Sequence, residues 1–187
     1  MGRRKRIAWI TTAAVLTVLL AIHLWVPRPL FSTPTSTVLT DSHGELIGAR
    51  ISADQQWRFP ESESVSDKFA QCIIAFEDSR FRYHLGIDPI AMCRAMLHNL
   101  RRGHVAEGGS TLTMQVARMA RGNQSRTLFQ KAVEALWAFD IELTYSKDEI
   151  LRKYASNAPF GGNTVGIDAA AWRYFGRDAH NLSWAEN

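Results

Sequence analysis

The sequence has little net charge, and what it has is confined to its first six residues. It contains 22 Lys and Arg against 18 Asp and Glu, a formal net charge of +4. Four of the basic residues are Arg3, Arg4, Lys5 and Arg6, so the remainder of the chain is neutral. A protein that binds nucleic acid through its charge needs a basic excess spread over a folded face. The lack of such an excess argues against nucleic acid as a partner.

Cysteine is also scarce, and the sequence contains no internal repeat or low-complexity segment. The two cysteines, Cys72 and Cys93, both lie in apolar helical patterns. A disulfide between them is permitted outside the cytoplasm, but we expect both to be small buried apolar residues. With 46% hydrophobic and 21% charged residues, the 187-residue chain is able to bury a core, which argues against a disordered protein.

Residues 7–26 form a long apolar run. Sixteen of these 20 residues are apolar, and a helix of this length reaches about 30 Å, the thickness of the hydrocarbon core of a bilayer. Trp9 and Trp25 lie near its ends, where aromatic rings favour the membrane interface. A cleaved signal peptide also has a basic start, but small residues such as Ala-x-Ala normally follow its apolar stretch, and they are missing here. We therefore predict an uncleaved anchor at 7–26, a cytoplasmic tail at 1–6 and the rest of the chain on the outer side.

The remaining sequence indicates a linker, a hairpin and then helices. Residues 27–37 are rich in Pro, Ser and Thr and are predicted to be a linker, which leaves 38–187 as the folded domain. Two short strands are predicted on either side of a turn at 41–44, with residues 50–59 extending the second strand. Apolar spacing predicts helices at 69–76, 128–143 and 168–175. Capping residues predict helix starts at Asp88-Pro89, at Ser110 and at the capping box of Ser146 to Glu149. The sequence therefore predicts a mainly α domain that begins with a short β-hairpin.

A further capping box lies at the end of the sequence. Ser183 and Glu186 have the spacing of the residues that begin a helix, and the sequence stops one residue later. We therefore expect a fragment in which the domain of residues 38–187 is incomplete at its C-terminus.

An acidic motif follows the apolar pattern of residues 69–76. Glu77 and Asp78 come directly after it, so apolar packing is expected to desolvate the Glu77 carboxylate, as suits a general base or acid. Phe81 and His84 belong to the same segment. An acidic pair at a helix end is more often a solvated terminus, so the pair alone does not establish catalysis.

The segment from Gly108 to Arg118 carries candidate binding groups. Gly108-Gly109 leads into Ser110, Thr111 and Gln115, where a helix N-terminus with free N–H groups and hydroxyls suits a phosphate or sugar hydroxyls, and Arg118 lies one turn beyond. The alternative is an ordinary loop and helix cap.

The last pair of candidates is Lys131 and Glu134. Three residues apart on a predicted helix, they can form a surface ion pair worth a few tenths of a kcal/mol. The functional alternative has Lys131 binding an anionic leaving group while Glu134 assists its departure.

Together these segments resemble the motifs of glycosyltransferase family 51, the peptidoglycan polymerases with a lysozyme-like fold. The motif Glu-Asp-x-x-Phe-x-x-His-x-Gly matches residues 77–86, and Gly-x-Ser-Thr-x-Thr-x-Gln matches residues 108–115. The motif Arg-Lys-x-x-Glu matches at Lys131 and Glu134, but Gln130 replaces the Arg. Two further motifs are recognisable within residues 147–176, where 158–163 look most like the 1C subgroup of class A penicillin-binding proteins.

The resemblance implies a mainly α, lysozyme-like domain that polymerises lipid II into glycan strands and releases lipid diphosphate. It implies that Glu77 is the general base and that Glu134 assists the leaving group, directly or through a divalent cation such as Mg²⁺ or Mn²⁺, with no residue assigned as a metal ligand. Lys131 and Arg118 would neutralise the phosphates. The other residues implied to bind or position substrate are Asp78, Phe81, His84, Ser110, Thr111, Gln115 and Asn157. The implied partners are lipid II, the growing glycan strand, the membrane and cell-wall synthesis proteins, and the implied location is the outer side of a bacterial inner membrane.

Two other functions stay open at this point. A lysozyme-like hydrolase of finished glycan shares an acidic catalyst and a helical cleft, but it needs neither an anchor nor the cations at Arg118 and Lys131. An inactive anchored module is the second, because the domain is expected to be incomplete.

Residues 101–109 are expected to form a mobile flap between the two halves of the cleft.

Overall fold

The computed structural model describes residues 2–104, 108–125 and 127–186. They divide into two compact units, one up to Ser32 and the other from Thr33 onward. Each unit is described by itself below.

The first unit consists mainly of one helix, α1, at Arg3–Trp25. Its Arg4–Trp25 portion has a mean hydropathy of 2.1 over its most apolar window, which makes it long and apolar enough to cross a membrane by length and composition. Beyond the helix, the Arg28 guanidinium donates to the His23 carbonyl at 2.7 Å and lies 2.8 Å from the ring Nδ1 of the same residue. This pairing satisfies a carbonyl that the end of the helix leaves without a partner.

The second unit opens with the predicted hairpin. Strands β1 (Thr37–Thr40) and β2 (Leu46–Arg50) pair antiparallel. The Asp41 carboxylate accepts from the backbone N–H groups of His43 and Glu45, both at 2.8 Å, which closes the turn. The hairpin prediction is confirmed.

The predicted extension of the second strand to residue 59 is wrong. The chain turns at Ser52, whose hydroxyl donates to the Gln56 carbonyl at 2.7 Å, while the Asp54 carboxylate accepts from Arg58 at 2.8 Å. Hydrogen bonds from Ser52 and Arg58 lower the pKa of Asp54 to about 2. Strand β2 ends here because local side-chain bonds to the backbone compete with continuation of a strand. After this turn, β3 (Trp57–Arg58) pairs in parallel with β4 (Thr164–Val165).

Six helices follow in the second unit, and its described part is mainly α, as predicted. They are α2 (Asp67–Glu77), α3 (Pro89–Arg102), α4 (Leu112–Ala120), α5 (Leu128–Thr144), α6 (Lys147–Asn157) and α7 (Ile167–Phe175). Short 3₁₀ turns occupy Phe81–Tyr83 and Ala179–Asn181.

Capping side chains determine where these helices begin. The Asp88 carboxylate accepts from the N–H groups of Ile90 and Ala91 at the start of α3, and Ser146 with Glu149 forms both halves of the predicted capping box of α6. Helix α4 is capped by Thr111 and not by the predicted Ser110. Residues 183–186 form a turn in the structure, in which the Glu186 carboxylate accepts from the Ser183 N–H at 2.8 Å.

Helix α4 lies at the centre of the helical unit and packs against α5 and α6. Its side chains Leu112, Val116 and Ala117 are fully buried, as are Ala138 and Ile141 of α5. A helix of nine residues is marginal by itself in water, so burial of this apolar face stabilises α4. Fully burying one large aliphatic side chain contributes roughly 1.5–3 kcal/mol.

The cysteine prediction is wrong in part. Cys72 is half-buried and Cys93 is exposed, and both are free thiols. The apolar spacing around Cys93 does not correspond to a buried face, because its neighbours Met92 and Met96 on α3 are also exposed.

Candidate active site

Glu77 is the last residue of α2, and its carboxylate is exposed. The side-chain Nε2 of Gln115 donates to it at 2.7 Å. The expected desolvation by apolar packing is wrong, because the adjacent Phe76 is itself 86% exposed. The carboxylate is therefore open to solvent on one side and fixed by an amide on the other.

The next residue, Asp78, binds groups inside the domain. Both of its oxygens lie 3.0 Å from Nε2 of His84, and Oδ2 accepts from the backbone N–H of Leu112 at 2.9 Å. Asp78 and His84 are both buried. Since Leu112 is the first residue of α4, the Asp78 carboxylate ties the end of α2 to the start of α4. The two members of the Glu77-Asp78 pair thus have different roles.

A half-buried lysine supports the His84 segment. The ammonium of Lys147 donates to the His84 carbonyl at 2.7 Å and to Glu142 at 2.7 Å, and it lies 4.5 Å from the centre of the Phe81 ring. Phe81 is completely buried, and Thr113 of α4 donates to the same Glu142 carboxylate at 2.5 Å. Sequence reasoning gave Glu142 no role; its partner Thr113 is 29 positions away along the chain.

Thr111 is engaged within the protein. Its hydroxyl donates to the Gly86 carbonyl at 2.6 Å and accepts from the Met114 N–H at 3.1 Å, and the residue is 2% exposed. The Thr111 hydroxyl is therefore used within the protein both as a donor and as an acceptor, and its direct contact with substrate stays a prediction. Ser110, its neighbour, is half-buried and lines the cavity described below.

Removing the Thr111 hydroxyl is expected to destabilise the fold. The Thr111→Ala variant loses the cap of α4 and leaves the Gly86 carbonyl without its donor, so we expect the free energy of unfolding to fall by about 2 kcal/mol. Denaturant unfolding followed by circular dichroism measures the loss. Ser110→Ala is the matched control and is expected to change the free energy by less than about 0.5 kcal/mol; equal effects of both variants would contradict the assignment.

One face of α4 contacts both candidate carboxylates. Gln115 donates to Glu77 at 2.7 Å, and Arg118, one turn further along, has its Nε 4.0 Å from Oε1 of Glu134. Residues three apart on a helix lie on the same face, so α4 brings the two carboxylates to one side of the domain.

Lys131 is not the partner of Glu134. Within the described residues the Lys131 ammonium makes no hydrogen bond or ion pair, and the surface pair is replaced by the contact between Arg118 and Glu134. Its half-buried side chain carries a positive charge one turn before Glu134 on α5. Asn157, at the end of α6, donates to the Lys153 carbonyl at 2.9 Å.

A cavity of about 120 Å³ opens beside Glu77. Its lining includes Arg80, Asp88 and the segment from Gly108 to Thr111. Sequence reasoning left Arg80 without a role. Its Nε lies 3.5 Å from Oδ2 of Asp88. The only sequence signal for Arg80 is its position inside the first motif.

Two ionisable groups near this cavity have shifted pKa values. Burial raises the pKa of the Asp88 carboxyl, but the N–H of Ala91, the Arg80 guanidinium and the N–H of Ile90 outweigh it, so the pKa of Asp88 lies below its ordinary value. Burial, with a smaller contribution from the charge of Glu77, raises the pKa of Tyr154 to about 12. Asp88 is therefore ionised and Tyr154 neutral at physiological pH.

The predicted flap lies only partly in the described structure. Its first two residues belong to α3, and Gly103 ends that helix in a left-handed conformation. Residues 105–107 lie outside the described residues.

Within the ranges that the structure describes, no three His, Cys, Asp or Glu side chains lie close enough together to hold a metal ion. A divalent cation would therefore have Glu134 as a single carboxylate ligand from the protein, and Arg118 already lies beside that group. Such an ion fits only if substrate phosphates supply most of its ligands.

Comparison with known proteins agrees with the motifs. A family model described as transglycosylase matches residues 43–187. The chain is 39% identical to penicillin-binding protein 1C of Escherichia coli over 97% of its own length and 24% of that protein, and 34% identical to penicillin-binding protein 1A of Aquifex aeolicus over 92% of its length and 24% of that protein. It is also 34% identical to the biosynthetic peptidoglycan transglycosylase of Pseudomonas putida, over 96% of the chain and 72% of the relative. The chain thus spans about a quarter of the length of these penicillin-binding relatives. The match covers every motif described above, and the chain belongs to the transglycosylase family.

Proposed function

We propose that this chain is a peptidoglycan glycosyltransferase that polymerises lipid II into glycan strands and releases lipid diphosphate. The observation that carries the proposal is the shared face of α4, on which Gln115 holds Glu77 and Arg118 lies beside Glu134. A transfer with inversion needs a base on one side of the anomeric carbon and charge neutralisation on the other. Membership of the transglycosylase family and the relative named biosynthetic peptidoglycan transglycosylase support this reaction.

Glu77 acts as the general base. Its carboxylate accepts the proton of the acceptor 4-hydroxyl as that oxygen bonds to the anomeric carbon of the growing chain, and the bond from that carbon to the diphosphate oxygen breaks. Gln115 restrains one carboxylate oxygen, which leaves the other for the proton. Side-chain bases positioned in this way contribute typically 10²–10⁴-fold to a rate.

The leaving diphosphate is bound on the side of Glu134. Arg118 and Lys131 supply positive charge where negative charge develops. The Glu134 carboxylate lies 4.0 Å from Nε of Arg118, and it is also the carboxylate that could ligate a divalent cation such as Mg²⁺ or Mn²⁺. Such an ion would supply further charge neutralisation, and no step of this mechanism depends on it.

The remaining predicted site residues divide into two groups. Asp78, Phe81, His84 and Thr111 are buried and position the Glu77 segment against α4. Ser110, at the cavity, and Asn157 are the candidates for direct contact with substrate sugars or peptide.

The proposed location follows from the basic tail. Residues 1–6 remain in the cytoplasm, α1 spans the inner membrane, and the domain of residues 38–187 lies on the outer side, joined by the linker at 27–37. The membrane then presents lipid II to the domain, and cell-wall synthesis proteins are candidate partners at the same surface.

An assay with two substrates tests the proposal. Purified chain is incubated in parallel with labelled lipid II and with isolated, labelled cell wall. We expect glycan polymer from lipid II and no soluble fragments from cell wall, because the cations at Arg118 and Lys131 match a diphosphate leaving group. Release of fragments from cell wall without polymer formation would identify a hydrolase and reject the proposal.

A further inference from the structure

Lys147 is a charged residue within one of the matching motifs, and the proposed mechanism gives it no part in the reaction. It is the first residue of α6. Its side chain is 19% exposed, so most of it lies inside the domain. A cation in such a place either binds a substrate anion or holds parts of the protein together, and its contacts distinguish the two roles.

The Lys147 ammonium is engaged within the protein. An ammonium has three N–H donors, and this one donates to the His84 carbonyl and to Oε1 of Glu142, both at 2.7 Å. It also lies 4.5 Å from the centre of the Phe81 ring, close enough for attraction between the charge and the face of the ring. These contacts favour a positioning role over the binding of a substrate anion.

Glu142 extends these contacts to α4. Its side chain is 3% exposed, and Thr113 of α4 donates to the same Oε1 atom at 2.5 Å. A buried carboxylate needs a cation and hydrogen bonds to offset the loss of its hydration. Lys147 therefore contacts the segment of His84 directly, and it is connected to α4 through Glu142.

The two segments connected by Lys147 also carry the candidate base and its amide partner. Glu77 lies seven residues before His84. Gln115 lies two residues after Thr113 on α4, and it donates to Glu77 at 2.7 Å. The segment of the base and the helix of its partner are therefore both bonded, directly or through one carboxylate, to a single ammonium.

We propose that Lys147 is a positioning residue for Glu77, because it holds the segment of residues 77–84 and α4 at the separation at which Gln115 restrains the Glu77 carboxylate. This inference rests on the proposed function, in which Glu77 is the general base. Among the described residues that line the cavity beside Glu77, Lys147 is absent. It therefore affects the rate only through the placement of the base, and a misplacement of about 1 Å can cost about 10²-fold.

Steady-state polymerisation of labelled lipid II by the purified full chain tests this role. Lys147→Met keeps the length of the side chain and removes its charge. We expect kcat to fall by about 10²-fold with KM nearly unchanged, because the variant loses no contact with substrate. A raised KM with an unchanged kcat would assign Lys147 to substrate binding and overturn the inference.

Lys153→Met is the matched control on the same helix. The Lys153 side chain is 17% exposed, and its ammonium lies 3.5 Å from the Glu61 carboxylate and 4.8 Å from the centre of the Tyr145 ring. It therefore combines a carboxylate and an aromatic ring, as Lys147 does, but both partners lie outside α4 and residues 77–84. We expect this variant to polymerise lipid II like wild type. Equal losses of rate in the two variants would overturn the inference.

A double variant separates positioning from stability. Lys147→Met leaves the Glu142 carboxylate buried without its cation, which is strongly destabilising. Combining it with Glu142→Gln removes that charge, and the amide oxygen can still accept from Thr113. We expect the double variant to recover most of the lost thermal stability but not the rate, because the His84 carbonyl still lacks its donor. Recovery of both would show that Lys147 acts only through stability and would overturn the inference.

Hydrogen exchange distinguishes failure of this inference from failure of the polymerase proposal. Mass spectrometry follows the backbone amides of residues 78–86, without lipid II, in wild type, Lys147→Met and Lys153→Met. We expect faster exchange only in Lys147→Met, since loss of the ammonium releases the His84 carbonyl and the Phe81 ring. Equal exchange in all three proteins would overturn the inference, whether or not lipid II is polymerised. The expected exchange pattern in a chain that does not consume lipid II would support the positioning role and reject the polymerase.

Discussion

Replacing Glu77 by Gln is expected to reduce the rate of glycan polymerisation by about 10²–10⁴-fold. The amide keeps the size of the side chain, and its carbonyl can still accept from Gln115, but it cannot take a proton from the acceptor hydroxyl. Because Glu77 is exposed, the free energy of unfolding should change by less than about 0.5 kcal/mol. The initial rate of polymer formation from labelled lipid II measures the effect.

Glu45→Gln is the matched control for this variant. Glu45 is exposed and lies in the hairpin, outside the candidate site, so the same change of charge there should leave the rate unaltered. If Glu77→Gln polymerises lipid II as fast as Glu45→Gln, Glu77 is not the base. A loss confined to the affinity for lipid II, with an unchanged maximal rate, would also argue against a role in proton transfer.

Replacing Gly86 by Ala is expected to lower the free energy of unfolding by about 3–5 kcal/mol. Gly86 has a φ of +80°, and an added Cβ would lie 2.6 Å from the Ala138 carbonyl oxygen in the buried centre of α5. A backbone in this region costs a non-glycine residue about 1–3 kcal/mol, and the overlap with the backbone of α5 adds a comparable amount. The Thr111 hydroxyl, which donates to the Gly86 carbonyl, would be displaced with it. Chemical denaturation measures the loss.

Gly44→Ala separates the two contributions. Gly44 has a similar φ of +84°, but no atom lies within 4 Å of a Cβ built there. We expect it to lose only about 1 kcal/mol, from backbone strain alone. Equal losses at the two glycines would show that the close approach of Gly86 to α5 is unimportant.

The elements that the sequence predicted well are those set by local chemistry. The Asp41 turn, the Asp88 cap and the capping box of Ser146 with Glu149 each depend on residues within four positions of one another. Such bonds form in any chain with that local sequence. The predicted extension of the hairpin was wrong for the same reason, because Ser52 and Asp54 bind nearby backbone and side-chain groups and turn the chain.

The predicted site residues do not all have the environments that the motifs suggested. Glu77 is exposed where burial was expected, and Glu134 lies beside Arg118 and not beside Lys131. Spacing along one helix gave Lys131 as the partner of Glu134, but the side chain across the helix interface comes closer. Cys93 is exposed because the apolar spacing of α3 does not face the core.

By itself, the sequence determined the apolar segment at 7–26, the hairpin, the starts of α3 and α6 and the identity of the motif residues, because each depends on composition or on short spacing. Only the tertiary structure decided what each motif residue contacts. Asp78 reaches Leu112, and Gln115 reaches Glu77, across 34 and 38 positions of sequence. No local propensity specifies such contacts; they follow from the packing of α4 against its neighbours, which the burial of its apolar face drives. The division of Glu77 and Asp78 into an open carboxylate and a buried anchor is therefore a property of the packed helices.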